Sequence, residues 1–228
     1  IIKMITFETI LNRHSVRAYL DKGLSLETIQ ALEEKIEACN KAAKLHFQLV
    51  TNEKTAFNGI LARYGKFSNV SNYIVLVGKK RNLIKQDIGY YGEELALFAQ
   101  SLGLNTCWVA MSYSSHCVKK YITLEEDEAI YSVLALGYGK TQGSTRKSKT
   151  IEDLSVVDSE MPSWFIEGMK AVQLAPSALN KQPVRFYLKG REVKAEALGG
   201  GYSQIDLGIA KYHFEIIASK ENFVWNEE

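Results

Sequence analysis

One order of elements occurs twice in this chain, and that repetition restricts the fold more than any other feature. A helical pattern, an irregular link, a strand led by phenylalanine and a helix opening on Asp-x-Gly run through residues 25–102 and again through 163–218. With Phe47 set against Phe186, the preceding helices fall into register. Asp87-Ile88-Gly89 then matches Asp206-Leu207-Gly208. A duplicated half-domain would make an internal pseudo-dimer, with a site where its halves meet. The other reading is chance likeness between two helix-strand-helix units. The 228 residues suit one large domain or two small ones.

Local patterns place the elements. Ser25 is set to cap a helix that carries Ile29, Leu32 and Ile36 at helical spacing. Residues 47–50 and 73–77 read as strands, the second apolar throughout and so central in a sheet. A helix is expected over about 87–102, stopped by Gly103. Buried strands follow over 106–110 and 129–136, with a capping box at Thr123 and Glu126 opening a short element between them. Residues 140–149 are polar and basic and read as a connection. All three prolines, Pro162, Pro176 and Pro183, lie beyond it. A helix over 163–174 ends at Ala175-Pro176, because the residue before proline leaves the helical region. A strand at 186–188, a turn at 199–201 and a last helix over 204–218 complete the order.

Composition excludes several classes. There are 28 basic and 26 acidic residues, a formal charge of +2, so nothing global points to nucleic acid or an anionic membrane. Hydrophobic residues at 46% and charged residues at 24% describe a folded chain with a core. Residues 95–118 carry no charge, but Gln100, Asn105, four serines and a central Gly103 make them a buried helix, turn and strand rather than a membrane span. Three cysteines are too few for a disulfide framework, and Ile1-Ile2-Lys3-Met4 leads into a polar stretch without the look of a signal peptide. A cytoplasmic protein is expected. No dinucleotide glycine motif, phosphate-binding lysine loop or hydrolase serine elbow is present. His14, His46, His116 and His213 are scattered, and Cys107 and Cys117 lack zinc spacing, so no metal site is expected.

Four strings can carry chemistry. Arg13-His14-Ser15-Val16-Arg17 can converge on an anion if helical or turned, or it is two solvated arginines at a helix end. Ala175-Pro176-Ser177-Ala178-Leu179-Asn180-Lys181-Gln182-Pro183 can read a polar heterocycle edge, or it is a rigid helix-to-strand turn. Arg146-Lys147-Ser148-Lys149, just after the Gly137-Tyr138-Gly139 turn, is a further candidate, or it is a solvated basic linker. The run from Gly103 to Met111 ends a helix and enters a buried strand whose last N–H groups face a ligand, or it is ordinary core.

Taken together these strings resemble the nitroreductase family of FMN-dependent oxidoreductases. The matching parts are Arg-x-Ser-x-Arg, the helix from Asp87 into Leu102-Gly103-Leu104-Asn105-Thr106-Cys107-Trp108, the Leu134-Ala135-Leu136-Gly137-Tyr138 strand end, Lys-Ser-Lys, and Ala-Pro-Ser-x-x-Asn-x-Gln-Pro. The resemblance implies an α+β fold, a mixed and mainly antiparallel sheet flanked by helices, arranged as an internal pseudo-dimer. The family pattern sets the Pro-Ser-x-x-Asn string after the first helix, where this chain has Glu37-Ala38-Cys39-Asn40-Lys41-Ala42-Ala43. Here the string lies in the second half, which resembles a subgroup with fused half-repeats. Residues 1–149 would be a first half on the FMN phosphate side. Residues 150–228 would be a shortened second half supplying the contacts that ordinary members take from a partner subunit, in one compact unit.

The resemblance implies one FMN per chain, NAD(P)H as electron donor, small-molecule acceptors such as nitroaromatics or quinones, no nucleic acid or membrane partner, and a chain able to work as a monomer. By the same resemblance Arg13, Ser15, Lys147 and Lys149 hold the FMN phosphate, with His14 in the same run. Arg17 lies nearer the flavin pyrimidine, with Arg63 and Lys66 as further contacts. The backbone of Val109, Ala110 and Met111 approaches flavin N5. Pro176, Ser177, Ala178 and Asn180 line the flavin, and Gln182 braces their loop. Met111 stands where the family often has glycine and would crowd the substrate face. No side chain is expected as an obligatory acid or base. A specialised flavin enzyme such as a dehalogenase, and a non-catalytic flavin or nucleotide binder, are the competing functions.

Overall fold

The structure is a computed structural model that describes residues 4–226. The Ile1-Ile2-Lys3 start lies outside the described residues. The fold is α+β. It contains helices α1 (Phe7–Asn12), α2 (Leu26–Ala43), α3 (Ile60–Tyr64), α4 (Ile84–Ser101), α5 (Ser115–Val118), α6 (Ile151–Leu154), α7 (Ser163–Leu174) and α8 (Ser203–Ala218). Its strands are β1 (Gln48–Val50), β2 (Asn72–Lys79), β3 (Asn105–Val109), β4 (Glu128–Gly137), β5 (Ser155–Val157), β6 (Val184–Lys189), β7 (Glu192–Ala197) and β8 (Val224–Trp225). A 3-10 turn covers Ala178–Asn180. Two compact units result. The first is formed mainly by Asn12–Ile84 and Leu95–Ser144, the second by Ile5–Leu11, Lys85–Glu94 and the chain from Thr145 onward.

The first unit is built on an antiparallel sheet of order β1-β2-β4-β3. β2 is interior and buried along seven of its eight residues, as its unbroken apolar run requires. Tyr73, Val75, Val77, Val133, Ala135, Cys107 and Val109 share one core with Val16, Tyr19, Phe57 and Phe67. Ile74, Leu76, Leu134 and Leu136, which alternate with these, are buried as well. Ser25 caps α2, its Oγ accepting the Thr28 N–H. Gly103 takes the left-handed conformation (φ 81°) that releases the chain from α4 toward β3.

The second unit has a mixed sheet of order β5-β6-β7-β8, in which β5–β6 and β7–β8 are parallel and β6–β7 antiparallel. α7 and α8 pack together, and α8 lies on β6 and β7. Val184, Phe186 and Leu188 point inward while Arg185 and Tyr187 stay half-exposed. Phe165, Phe186 and Phe223 surround Phe214 with ring centroids 5.2–5.5 Å apart. Gly168 admits that ring, since an added Cβ would meet it at 2.7 Å.

α2, α4, α7 and α8 and the strands at 47–50, 73–77, 106–110, 129–136 and 186–188 lie where the sequence places them, within a turn. Residues 123–126 form no helix. Gln48 takes the Thr123 amide at 2.9 Å and its hydroxyl at 3.3 Å, so the capping groups serve a tertiary contact. A capping box does form at Thr150 and Asp153, opening α6.

Candidate functional site

Arg13 to Arg17 is extended rather than helical or turned. Ser15 bridges Thr106 of β3, with the Val16 N–H donating to the Thr106 carbonyl at 3.0 Å. Cys107, the next residue of β3, has Ser15 as a hydrogen-bond partner and lies within electrostatic reach of Arg13 and Arg17. Burial pushes that thiol up, while the Arg17 and Arg13 guanidiniums and a hydrogen bond to Ser15 pull the other way. Arg13 is 1% exposed and so is not a solvated arginine, whereas Arg17 is exposed, as that reading has it. Thr106 carries a buried hydroxyl with no hydrogen-bond partner among the described residues. His14 is half-buried and packs on Gly143, where a Cβ would reach the His14 Cβ at 2.6 Å.

The other first-unit candidates are Arg63, Lys66 and residues 109–111. The Ser68 amide donates to the Arg17 carbonyl at 3.0 Å, and the Arg17 guanidinium stands 5.9 Å from the Phe67 ring centre. Lys66 is exposed and left-handed (φ 60°), and Arg63 is exposed on α3. Gly65, between them, abuts Ser112 so closely that a Cβ there would meet the serine Cβ at 2.6 Å. β3 ends at Val109, whose carbonyl accepts from Ser132 Oγ at 3.0 Å. Ala110 and Met111 leave the sheet beyond it, and Met111 is 70% exposed.

The second-unit candidates form a separate braced assembly. Arg146 donates to the Leu174 carbonyl and Ser148 Oγ to the Gln173 carbonyl at 2.6 Å, so the basic segment closes the carboxyl end of α7. Gln182, 4% exposed, is the centre of the brace. Its Oε1 accepts the Lys149 amide at 2.7 Å, its Nε2 donates to the Gln173 carbonyl at 3.2 Å, and its carbonyl accepts Lys149 Nζ at 3.0 Å. The Gln182 amide donates to Ser177 Oγ at 2.9 Å. Asn180 Nδ2 donates to the carbonyl of Lys147, whose side chain is exposed. Pro176 is buried, and the Ala178 amide donates to Asp206 Oδ1 at 3.0 Å. Sequence reasoning found Gln182 but missed Asp206 and Cys107. Asp206 was visible only as half of the repeated Asp-x-Gly.

A family model described as "Putative TM nitroreductase" matches residues 5–218. Among solved structures, a putative nitroreductase from Thermotoga maritima is 25% identical, with a TM-score of 0.66 over 95% of this chain and 84% of that one. A putative NADH dehydrogenase/NAD(P)H nitroreductase from Parabacteroides distasonis is also 25% identical, with a TM-score of 0.51 over 65% of this chain and 95% of that one. A putative nitroreductase in complex with FMN, from Desulfovibrio desulfuricans, shares the fold at 19% identity and a TM-score of 0.53, over 68% of this chain and 97% of that one. No curated protein matches.

Proposed function

Since the chain belongs to the nitroreductase family of that model, we propose that it is an FMN-dependent oxidoreductase carrying electrons from NAD(P)H to a nitroaromatic, quinone or similar acceptor. One observation carries the reading: the Arg13 and Arg17 guanidiniums and the Ser15 hydroxyl all act on the Cys107 thiol, within the matched span. That donor set suits a phosphate monoester, because guanidinium forks and hydroxyls replace the hydration a dianion loses. The half-braced Arg17 suits the flavin pyrimidine, where a fixed positive charge favours the reduced ring.

FMN, when bound, supplies hydride acceptance and release at its N5. The chain's residues do the rest. Arg13 and Ser15 hold the phosphate, with Lys147 and Lys149 as the further cations the resemblance assigns. Arg17, Arg63 and Lys66 face the pyrimidine. Val109, Ala110 and Met111 present backbone toward N5. Pro176, Ser177, Ala178 and Asn180 line the ring. We propose one FMN per chain, an internal pseudo-dimer, and a reducing cytoplasmic setting in which none of the three cysteines is in a disulfide. No described helix is long and apolar enough to cross a membrane.

The test is anaerobic reduction of the purified yellow protein. NADH or NADPH bleaches the flavin band, and a nitroaromatic or quinone restores it. If neither donor bleaches a bound flavin, the protein is a flavin binder and the reductase reading fails. Turnover confined to one metabolite in an acceptor panel would mark a specialised enzyme instead.

A further inference from the structure

We propose that Asp206 is a positioning residue for the flavin-contacting loop: its carboxylate fixes the Ala178 amide and thereby holds residues 176–182 in the shape that binds FMN. This inference rests on the FMN reading above.

The loop does not favour its own conformation. Leu179, Asn180 and Gln182 all have positive φ, at 53°, 54° and 46°, and none is glycine. Non-glycine residues held there need surroundings that over-determine them, and such strain concentrates where a ligand is gripped. The ties on the loop come from within it, from the connection at 146–149 and from the two helices. Gln182 bonds Ser177, Lys149 and the Gln173 carbonyl at the end of α7, and Asn180 bonds Lys147. The tie to Asp206 comes from the first turn of α8, a 16-residue helix buried along most of its length, and is the one that reaches the Ala178 amide.

Asp206 is 5% exposed, and burial pushes its carboxyl up to about 6 against the pull of the Ala178 N–H. Burying a carboxylate is costly. A helix start of this sequence does not demand it: Asp87 holds the matching Asp-x-Gly position in α4 and is half-exposed. The first copy also lacks the loop, since residues 37–43 lie inside α2. Burial of the aspartate and presence of the Pro-Ser-x-x-Asn loop therefore occur together in one copy and are absent together from the other.

What the loop requires at this point is an sp2 oxygen that accepts one N–H. Asparagine provides it and alanine does not. FMN and riboflavin affinities are measured by flavin fluorescence for the full chain carrying Asp206, Asp206→Asn and Asp206→Ala. Asp206→Ala weakens both flavins by about tenfold to a hundredfold, the loss expected when a buried N–H is left without its acceptor. Asp206→Asn stays within about threefold of the parent, because the neutral bond is retained. Equal loss on FMN and riboflavin marks an effect on the ring rather than the phosphate. Hydrogen exchange of the Ala178 amide in flavin-free protein speeds up in Asp206→Ala alone. Parental FMN affinity in Asp206→Ala, or equal losses in the two variants, overturns the proposal. If the parent binds no flavin, the FMN reading fails by itself. The exchange comparison still decides the anchor, and unchanged Ala178 exchange in Asp206→Ala refutes it.

Discussion

His213 and Glu93 are both fully buried in the second unit, and their geometry counts protons. Nδ1 of His213 faces the Ala171 carbonyl at 3.0 Å; a carbonyl only accepts, so that nitrogen carries a hydrogen. Nε2 lies 2.9 Å from Glu93 Oε1, and one more proton must sit on that line. Glutamine could supply it permanently, its amide donating to a neutral ring. Glu93→Gln is therefore expected to cost less than about 1 kcal/mol, whereas Glu93→Ala costs about 3–5 kcal/mol for a stranded buried partner. Urea midpoints at neutral pH distinguish the two. Asp206 gives a pH signature. Its folded pKa is raised from 3.8 to about 6, chiefly by burial, so the folded state holds its proton more tightly than the unfolded chain. The stability this gives is complete below about pH 4 and is lost as pH rises through about 6, roughly 1–3 kcal/mol in all. Asp206→Asn removes that fall, so urea midpoints of parent and variant measured from pH 4 to 8 diverge in the variant's favour. Parallel curves would count against it.

The crossing of α4 and α8 is the element-scale counterpart of the Asp-x-Gly repeat. A Cβ on Gly89 would collide with the Ile205 carbonyl and stand 3.0 Å from the Ile209 amide nitrogen. A Cβ on Gly208 would collide with the Gln86 carbonyl and stand 2.8 Å from the Tyr90 amide nitrogen. Each glycine thus faces the residue three before the other and the residue one after it, the reciprocal pattern of a two-fold interface. Gln86 and Gln204 join beside it at 2.9 Å. This reciprocity supports the pseudo-dimer we propose. Gly89→Ala and Gly208→Ala are each expected to destabilise by about 2–4 kcal/mol, since backbone rather than a side chain must yield. The double variant should cost clearly less than the sum, because one separation of the helices relieves both clashes. Strict additivity in thermal or urea unfolding would show that the contacts are independent. Gly168→Ala, whose Cβ would meet side chains only, the Phe214 ring at 2.7 Å and the Ala218 Cβ at 3.0 Å, should cost less than either.

At the scale of the whole molecule the proposals concern number. A chain carrying both halves of the pattern should bind one flavin and, if the duplication replaces a partner subunit, should run as a monomer near its 25.7 kDa mass in light scattering. Two flavins per chain would refute the fused half-site. Asn180→Ala should weaken FMN retention with the fold intact, since Gln182 and Asp206 still brace the loop. Unchanged affinity would remove the second unit from the site.

Much of this was legible in residues alone. The unbroken run at 73–77 specified an interior strand, and Ser25, Gly103 and Ala175-Pro176 marked helix ends, because capping and turn chemistry act over a few residues. Glu192–Ala197 gave no strand signal: Val193 alone is fully buried among charged neighbours. β5 and β8, three and two residues long, have no pattern to read. Thr123 and Glu126 looked like a cap only because Gln48, 75 residues earlier, was out of view. Residues alone specified the family and the long or capped helices and strands. Only the tertiary structure shows that Arg13 is buried, that Asp206 holds an amide 28 residues away, and that Gly89 meets Ile205. Periodicity and caps are local energies, while these contacts exist only once the packed core has brought distant segments to van der Waals distance and excluded the water that would otherwise satisfy them.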